Sequence, residues 1–355
     1  MIMKKQLLST FFFVFAILSQ NFAQVGGEHV YEFLNLSSSA RITGLGGIAI
    51  AIQDDSDVTL GYNNPAALNP SQHNALAFNY NFYLADINTG FFSYGYYLKK
   101  WDISLSASAK FINYGEFDRT NIFGEIEGTF QANETAIVIG ASKRLYEKLT
   151  IGVNGMIISS QLAEYSSFGV NSDIGLLYAD TSSQFNIALV AKNLGRQLTT
   201  FDNESEFLPF DLQLGISKRL KHLPFRWSII YRDLQRWNIL FDDPNSEESS
   251  LLILNDEGGN DSSDFFFDNL ARHFVVNGEF LFGKRENFRI RIGYNHLRKK
   301  ELSVTGIRSA AGFAFGLGLK FKRFGLEYGH GFYHVAGGTN HLSISTNLDS
   351  FKGGI

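Results

Sequence analysis

Trp101-Asp102-Ile103-Ser104-Leu105-Ser106-Ala107-Ser108-Ala109-Lys110-Phe111 decides the fold class of this chain. Trp, Ile, Leu, Ala, Ala and Phe alternate with Asp, three Ser and Lys. Successive side chains of a strand point to opposite sides, so a period of two means a strand with one apolar and one polar face. Working outward, the same alternation recurs from about Leu76 to the C-terminus. It predicts fourteen strands at roughly 76–86, 89–98, 101–113, 130–143, 149–162, 165–178, 184–193, 210–220, 224–234, 270–283, 287–298, 311–322, 324–334 and 339–348. Strands of this kind either cover a shared core or close into a barrel whose apolar outside meets lipid.

The connections favour the barrel. After even-numbered strands they are short: Lys99-Lys100, 145–148, 179–183, 221–223, 284–286 and Arg323. After most odd-numbered strands they are long: 114–129, 194–209, 235–269 and 299–310. Short turns at one end and long loops at the other mark outer-membrane barrels, as does an even strand count. The short turns are basic, which suits an anionic membrane surface. The longest loop is acidic, with Asp242, Asp243, Glu247, Glu248, Asp256, Glu257, Asp261, Asp264 and Asp268 against Arg236.

The strand faces agree. Phe313, Phe315, Leu317, Leu319 and Phe321 share one face of 311–322, and Gly312, Ala314, Gly316, Gly318 and Lys320 share the other. So bare an inward face needs something packed against it, and the segment 24–75 is the candidate. Asp102, Lys110, Asp211, Arg226, Arg289, Arg291 and Glu327 also fall on inward faces. That many charges would be prohibitive in an apolar core. They pair with one another or with a plug, or they line a conducting lumen.

The composition fits. The chain has 355 residues, 34 Phe, 15 Tyr, 34 Gly, only 5 Pro and no Cys. No disulfide or thiolate metal site is available. A net charge of −4 suggests no nucleic-acid partner. Mean hydropathy is −0.06, since in a lipid-embedded barrel only alternate residues are apolar. Lys4 and Lys5, the apolar run 7–18 and Ala23 read as an export signal over 1–23. The alternative is an uncleaved anchor, although the run is short for a spanning helix. Residues 24–75 are small and polar with turn signals, a compact non-strand segment with one short helix ahead of Leu68. The barrel then occupies 76–355.

Motifs for catalysis are missing: there is no G-x-S-x-G, H-E-x-x-H, P-loop or G-x-G-x-x-G. Gly44-Leu45-Gly46-Gly47 has no preceding strand and reads as backbone permissiveness. His330, His334 and His341 fit no standard metal spacing. Asp54-Asp55-Ser56-Asp57 and 255–264 carry oxygens enough for Ca²⁺ but match no EF-hand loop, so solvated loops are the simpler reading.

Ala40-Arg41, then Gly44, Gly46 and Gly47, then Asp54-Asp55, then Asn64-Pro65-Ala66 resemble the N-terminal hatch of FadL-like outer-membrane proteins. Lys192-Asn193-Leu194-Gly195 is similar to a mid-barrel segment of that superfamily. Gly26-Gly27-Glu28 with residues 31–36 looks like the PorQ family, an outer-membrane component of the type IX secretion system of Bacteroidetes. The C-terminus departs from the pattern: it ends Phe351-Lys352-Gly353-Gly354-Ile355, where many outer-membrane barrels end on an aromatic residue. The resemblance implies an all-β transmembrane antiparallel barrel of about 14 strands with a hatch in its lumen. It implies a protein of the cell outer membrane without enzymatic activity or cofactor. The partners implied are PorZ-like, PorU-like and PorV-like secretion proteins and anionic lipopolysaccharide. A PorU-like transpeptidase joins cargo to that lipopolysaccharide, while the barrel tethers the PorZ-like partner. Loops 235–269, with the acidic residues named above, 194–209 and 114–129 are the expected partner surfaces. The alternatives are a FadL-like transporter of hydrophobic small molecules, its hatch gating the lumen, and an exported soluble β-protein or β-rich enzyme.

Overall fold

A computed structural model describes residues 29–83, 87–202, 204–240, 261–283, 285–302, 309–334 and 337–352, the side chains of 261–265 and 334 excepted. Fourteen antiparallel strands form one closed barrel. They are β1 (Ala75–Phe82), β2 (Asn88–Leu98), β3 (Ile103–Thr120), β4 (Ile126–Tyr146), β5 (Leu149–Leu162), β6 (Tyr165–Asp180), β7 (Phe185–Thr199), β8 (Asp211–Arg219), β9 (Phe225–Tyr231), β10 (Phe274–Phe282), β11 (Phe288–Asn295), β12 (Phe313–Phe321), β13 (Phe324–His334) and β14 (Gly337–Asn347). Each strand pairs with its sequence neighbours, and β1 closes on β14 from Ala75↔Asn347 to Phe82↔Asn340. Closure leaves no sheet edge in the barrel wall.

The alternation resolves into an outer belt and an inner face. In β3, Ser104, Ser106, Ser108 and Lys110 are buried inward, while Ala107 and Phe111 are exposed outward. In β12, Phe313, Phe315, Leu317, Leu319 and Phe321 are all exposed, and Ala314, Gly316 and Gly318 face in. An apolar outside over a polar inside is the arrangement of a barrel in lipid. Among the described residues no helix is long and apolar enough to cross a membrane.

Residues 29–74 lie inside the barrel. They contain α1 (Ala40–Gly44), α2 (Leu60–Asn63) and 3-10 turns at Glu32–Asn35, Pro65–Ala67 and Pro70–Gln72. The last two turns start the same way: the side chains of Asn64 and Asn69 accept from Ala66 N and Ser71 N, with Pro65 and Pro70 next in sequence. Asn offers an acceptor to the free backbone N–H groups, and Pro has no N–H to leave unpaired. The segment begins among the long loops, where Val30 N donates to Phe207 O at 3.0 Å. It ends at the short-turn end, where Asn74 N donates to Gly95 O at 2.9 Å.

Several expectations are corrected. The stretch 114–129 is mostly strand: β3 and β4 continue as a hairpin whose turn is only 121–125. In 194–209, β7 runs on to Thr199. In 235–269 the described part includes the start of α3 (Asp261–Arg272), and 299–310 opens inside α4 (His296–Glu301). The segment 24–75 holds two α-helices and three 3-10 turns among its described residues rather than one helix. Asp102 does not face the lumen: it sits exposed in the β2–β3 turn at φ 52°, accepting from Tyr97 Oη at 2.7 Å. The export signal over 1–23 and Gly26-Gly27-Glu28 lie outside the described residues.

Candidate functional site

The lumen holds a cluster of fully or largely buried charges built on Arg41. Ser39 caps α1, its side chain accepting from Ile42 N at 3.3 Å, and so fixes the next turn that carries Arg41. Arg41 donates to Asp54 and Asp57 with Nη1 and to Glu279 with Nη2, each at 3.0 Å. Glu279, on β10, also accepts from Arg291 Nε at 2.7 Å and Arg226 Nη1 at 3.3 Å. Arg291 reaches Glu327 at 2.8 Å, and Arg289 reaches Asp54 at 3.0 Å. Arg41, Arg226, Arg289 and Arg291 thus face Asp54, Asp57, Glu279 and Glu327, so the signs balance. Burial makes each of these charges costly alone, and pairing offsets that cost.

Backbone contact does the rest. Gly44 lies against Gly316: a Cβ on Gly44 would stand 2.8 Å from Gly316 Cα. A Cβ on Gly329 would stand 2.1 Å from Ala40 O, and one on Gly152 2.3 Å from Pro65 C. The bare inward positions of β5, β12 and β13 are where the lumenal backbone rests. Ala40 N donates to Ser343 Oγ at 2.9 Å. Asn64 Nδ2 donates to Ile50 O at 2.8 Å, and Pro65 and Ala66 are buried beside it. Gly46 and Gly47 turn the chain after α1 at φ 86° and 96°.

A second buried group sits nearer the long loops. Lys110 Nζ donates to Leu34 O at 3.0 Å and to Leu36 O at 2.5 Å. The ammonium groups of Lys110 and Lys192 lie 4.6 and 4.9 Å from the centre of the Tyr62 ring. Asp173, fully buried, accepts from Asn193 N at 2.9 Å and Asn154 Nδ2 at 3.3 Å. Around this group Val30, Tyr31, Phe33 and Leu34 fill an apolar space formed by Phe91, Ile112, Met156 and Ile158. A crevice of about 30 Å³ between the lumenal segment and the wall, bordered by Ser56, Asp57, Arg289, Lys320, Glu327 and Ser343, has room for about one water.

The structure therefore brings Ala40, Arg41, Gly44, Gly46, Gly47, Asp54, Asn64, Pro65 and Ala66 into one packed segment. Asp55 stands apart, exposed. Asp242, Asp243, Glu247, Glu248, Asp256 and Glu257 lie outside the described residues, and Asp261 and Asp264 fall on α3 with their side chains undescribed. His330 and His341 bond separate asparagines, Asn340 and Asn79. Sequence reasoning missed Glu279, Tyr62 and Asp173, and it read Asp57 as part of a solvated loop where the structure pairs it with Arg41. Glu279 had a signal: it shares the inward parity of Asn277 in β10, between Gly278 and Phe280.

At the long-loop end, Asp268 of α3 accepts from Arg272 at 2.9 Å, Lys300 at 2.7 Å and His296 at 3.3 Å, which ties α3 to α4. Partial burial acts to raise its carboxyl pKa, but these three donors outweigh it and hold the group at about 2.

A closed fourteen-stranded barrel with an apolar belt and a lumen filled by residues 29–74 is a FadL-like barrel fold. Two solved structures share it: the CymD monoaromatic hydrocarbon channel, with TM-score 0.50, 12% identity and 88% and 96% of the two chains covered, and a Pseudomonas aeruginosa FadL homologue, with TM-score 0.50, 10% identity and 88% and 98% covered. At such identities the likeness is one of fold. No protein-family model matches the chain, and no curated protein sequence does.

Proposed function

We propose that this protein is a non-enzymatic outer-membrane anchor of a type IX secretion attachment complex. In this reading its belt holds it in lipid and its long-loop end holds a PorZ-like partner, in company with PorU-like and PorV-like proteins that attach cargo to anionic lipopolysaccharide. The filled lumen carries the anchoring part of the reading. Four paired arginines and wall-to-segment glycine contacts favour a barrel suited to holding rather than conducting. The secretion system itself rests on the resemblance of residues 26–68. Deleting the gene tests it: cargo proteins leave the cell surface for the medium, and re-expression restores them.

A second reading is a transporter of hydrophobic small molecules. The apolar space holding Val30, Tyr31, Phe33 and Leu34 favours it, as does the fold shared with a hydrocarbon channel. It requires residues 29–36 to leave that space. Cargo that stays anchored in the deletion strain, together with lost uptake of an aromatic or fatty compound, supports this reading against the first.

A further inference from the structure

The β3–β4 hairpin leaves the barrel as a two-stranded ribbon that leans on the β5–β6 turn through the Arg119–Glu164 pair. β2 stops pairing with β3 at Asn88↔Asn113, and β5 stops pairing with β4 at Leu162↔Ala132. Beyond these points the ribbon continues through Glu116↔Gln131 to Thr120↔Ile126. The β5–β6 turn braces it further, Ala163 N donating to Gln131 O at 3.1 Å, and from Glu116↔Gln131 to Thr120 about four more residues at roughly 3.3 Å each carry the tip roughly 13 Å past that brace. Ile103–Asn113 already supplies the 9–11 residues with which a tilted strand crosses lipid, so the tip stands clear of the membrane.

That tip is both apolar and organised. Ile122, Phe123 and Ile126 are 94%, 81% and 65% exposed. Asn121 uses its whole side chain to hold them out: Oδ1 accepts from Phe123 N at 2.9 Å and Glu125 N at 3.1 Å, and Nδ2 donates to Glu125 at 3.0 Å and Glu127 at 3.1 Å. Phe117 and Phe130 stack below at 5.3 Å. Apolar groups held exposed on a well-bonded turn, beyond the lipid-crossing length of β3, mark an interaction surface.

The ribbon's charge selects the occupant. Glu116, Asp118, Glu125 and Glu127 stand against Arg119, and Arg119 is already paired with Glu164 at 2.7 Å. An acidic ribbon repels anionic lipopolysaccharide. A second copy of this chain in the same membrane is a poor match too. Most of its basic side chains sit in the short turns of the opposite end; at the long-loop end Arg298, Lys299 and Lys300 are engaged with Tyr333, Ser309 O and Asp268, and Arg232 and Arg272 with Asp233 and Asp268, so that the exposed Arg196 is a thin match for the ribbon's four carboxylates. The geometry points to a protein partner with an apolar recess rimmed by Lys and Arg, docked on the tip 121–126 with its rim over Glu116 and Asp118. This builds on the anchor reading and, of the three expected partner surfaces, places the contact on 114–129.

Photo-crosslinking from position 123 in living cells, with a photoreactive phenylalanine in place of Phe123 in the full chain, tests the proposal. The expected product joins the barrel to another protein through a Lys/Arg-rich peptide identified by mass spectrometry. Adding Glu116→Lys and Asp118→Lys then cuts its yield tenfold or more while the barrel keeps its heat-dependent gel migration. A crosslink to lipopolysaccharide, a crosslink to a second barrel, no crosslink, or a yield insensitive to charge reversal overturns it. Cargo retention in the same cells separates the two readings. If deletion of the gene releases cargo but position 123 captures nothing, the hairpin proposal falls and the anchor stands. If position 123 captures a basic protein but deletion releases no cargo, the secretion reading falls and the hairpin stands.

Discussion

Arg41 Nη2 donates to Glu279 Oε2 at 3.0 Å across 238 residues of sequence, joining the lumenal segment to the barrel wall at a point where both side chains are buried. The same guanidinium meets Asp54 and Asp57, so one residue holds the segment to itself and to β10.

Replacing Arg41 by Met leaves three carboxylates short of a partner. Asp54 keeps Arg289, and Glu279 keeps Arg226 and Arg291, so the loss falls at the low end of the range for breaking a buried pair, about 3 kcal/mol. The midpoint of urea unfolding in lipid vesicles, followed by tryptophan fluorescence, measures it. Arg41→Lys recovers only part of the loss, because an ammonium cannot span the three carboxylates as the planar fork does.

Gly329→Leu puts a side chain where Ala40 O now lies. The strands can accept it, but the lumenal segment cannot stay in place. The variant is expected to keep the heat-dependent migration of a closed barrel yet to show steady ion conductance in planar bilayers. A Gly329→Leu barrel that conducts no more than the wild type would mean the segment is not seated against β13.

On the outer belt, Leu317→Arg puts a charge into lipid. Loss of about 2–4 kcal/mol is expected if Leu317 lies near the bilayer midplane, falling toward zero near the interfaces. Titration in vesicles reads it directly, and Ser108→Thr on the inward face of β3 serves as the mild comparison.

Asp268 makes the α3–α4 contact pH-dependent in one direction. Its carboxyl is held at about 2, below its ordinary value of 3.8, by Lys300, Arg272 and His296 against the opposing effect of burial. A group depressed in the folded state adds stability above its unfolded pKa, and that contribution is lost as pH falls through the folded pKa. Amide protection factors in α3, corrected for the intrinsic pH dependence of exchange, should therefore be unchanged by this group from pH 7 to about 5 and fall below about 4, toward 2. Asp268→Asn should show lowered protection factors throughout.

Much of the barrel was legible because burial in lipid writes a period of two. Ile103–Phe111 and Phe313–Phe321 each show which side faces out. The hairpin 114–129 was not legible as strand because it stands in water on both faces, so nothing forces its residues to alternate. The glycines of β12 announced that something packs against them, since a bare inward face leaves a void. The residue that holds that packing, Glu279, pairs with a partner 238 positions away, and no local pattern encodes such a distance. Asp102 misled for a simple reason: its parity matched the inward face, but the strand starts one residue later, at Ile103.

The filled lumen is the central claim, and the absence of cysteine from the chain makes it directly measurable. Single-cysteine variants Ser108→Cys and Ser160→Cys place a thiol on the inward face at buried positions, and Phe123→Cys places one on the exposed tip. Labelling of each with a water-soluble maleimide in native outer membranes gives the answer. The account predicts rapid labelling at 123 and labelling at 108 and 160 slower by a hundredfold or more. Equal rates at all three positions would mean an open, water-filled barrel and would contradict it.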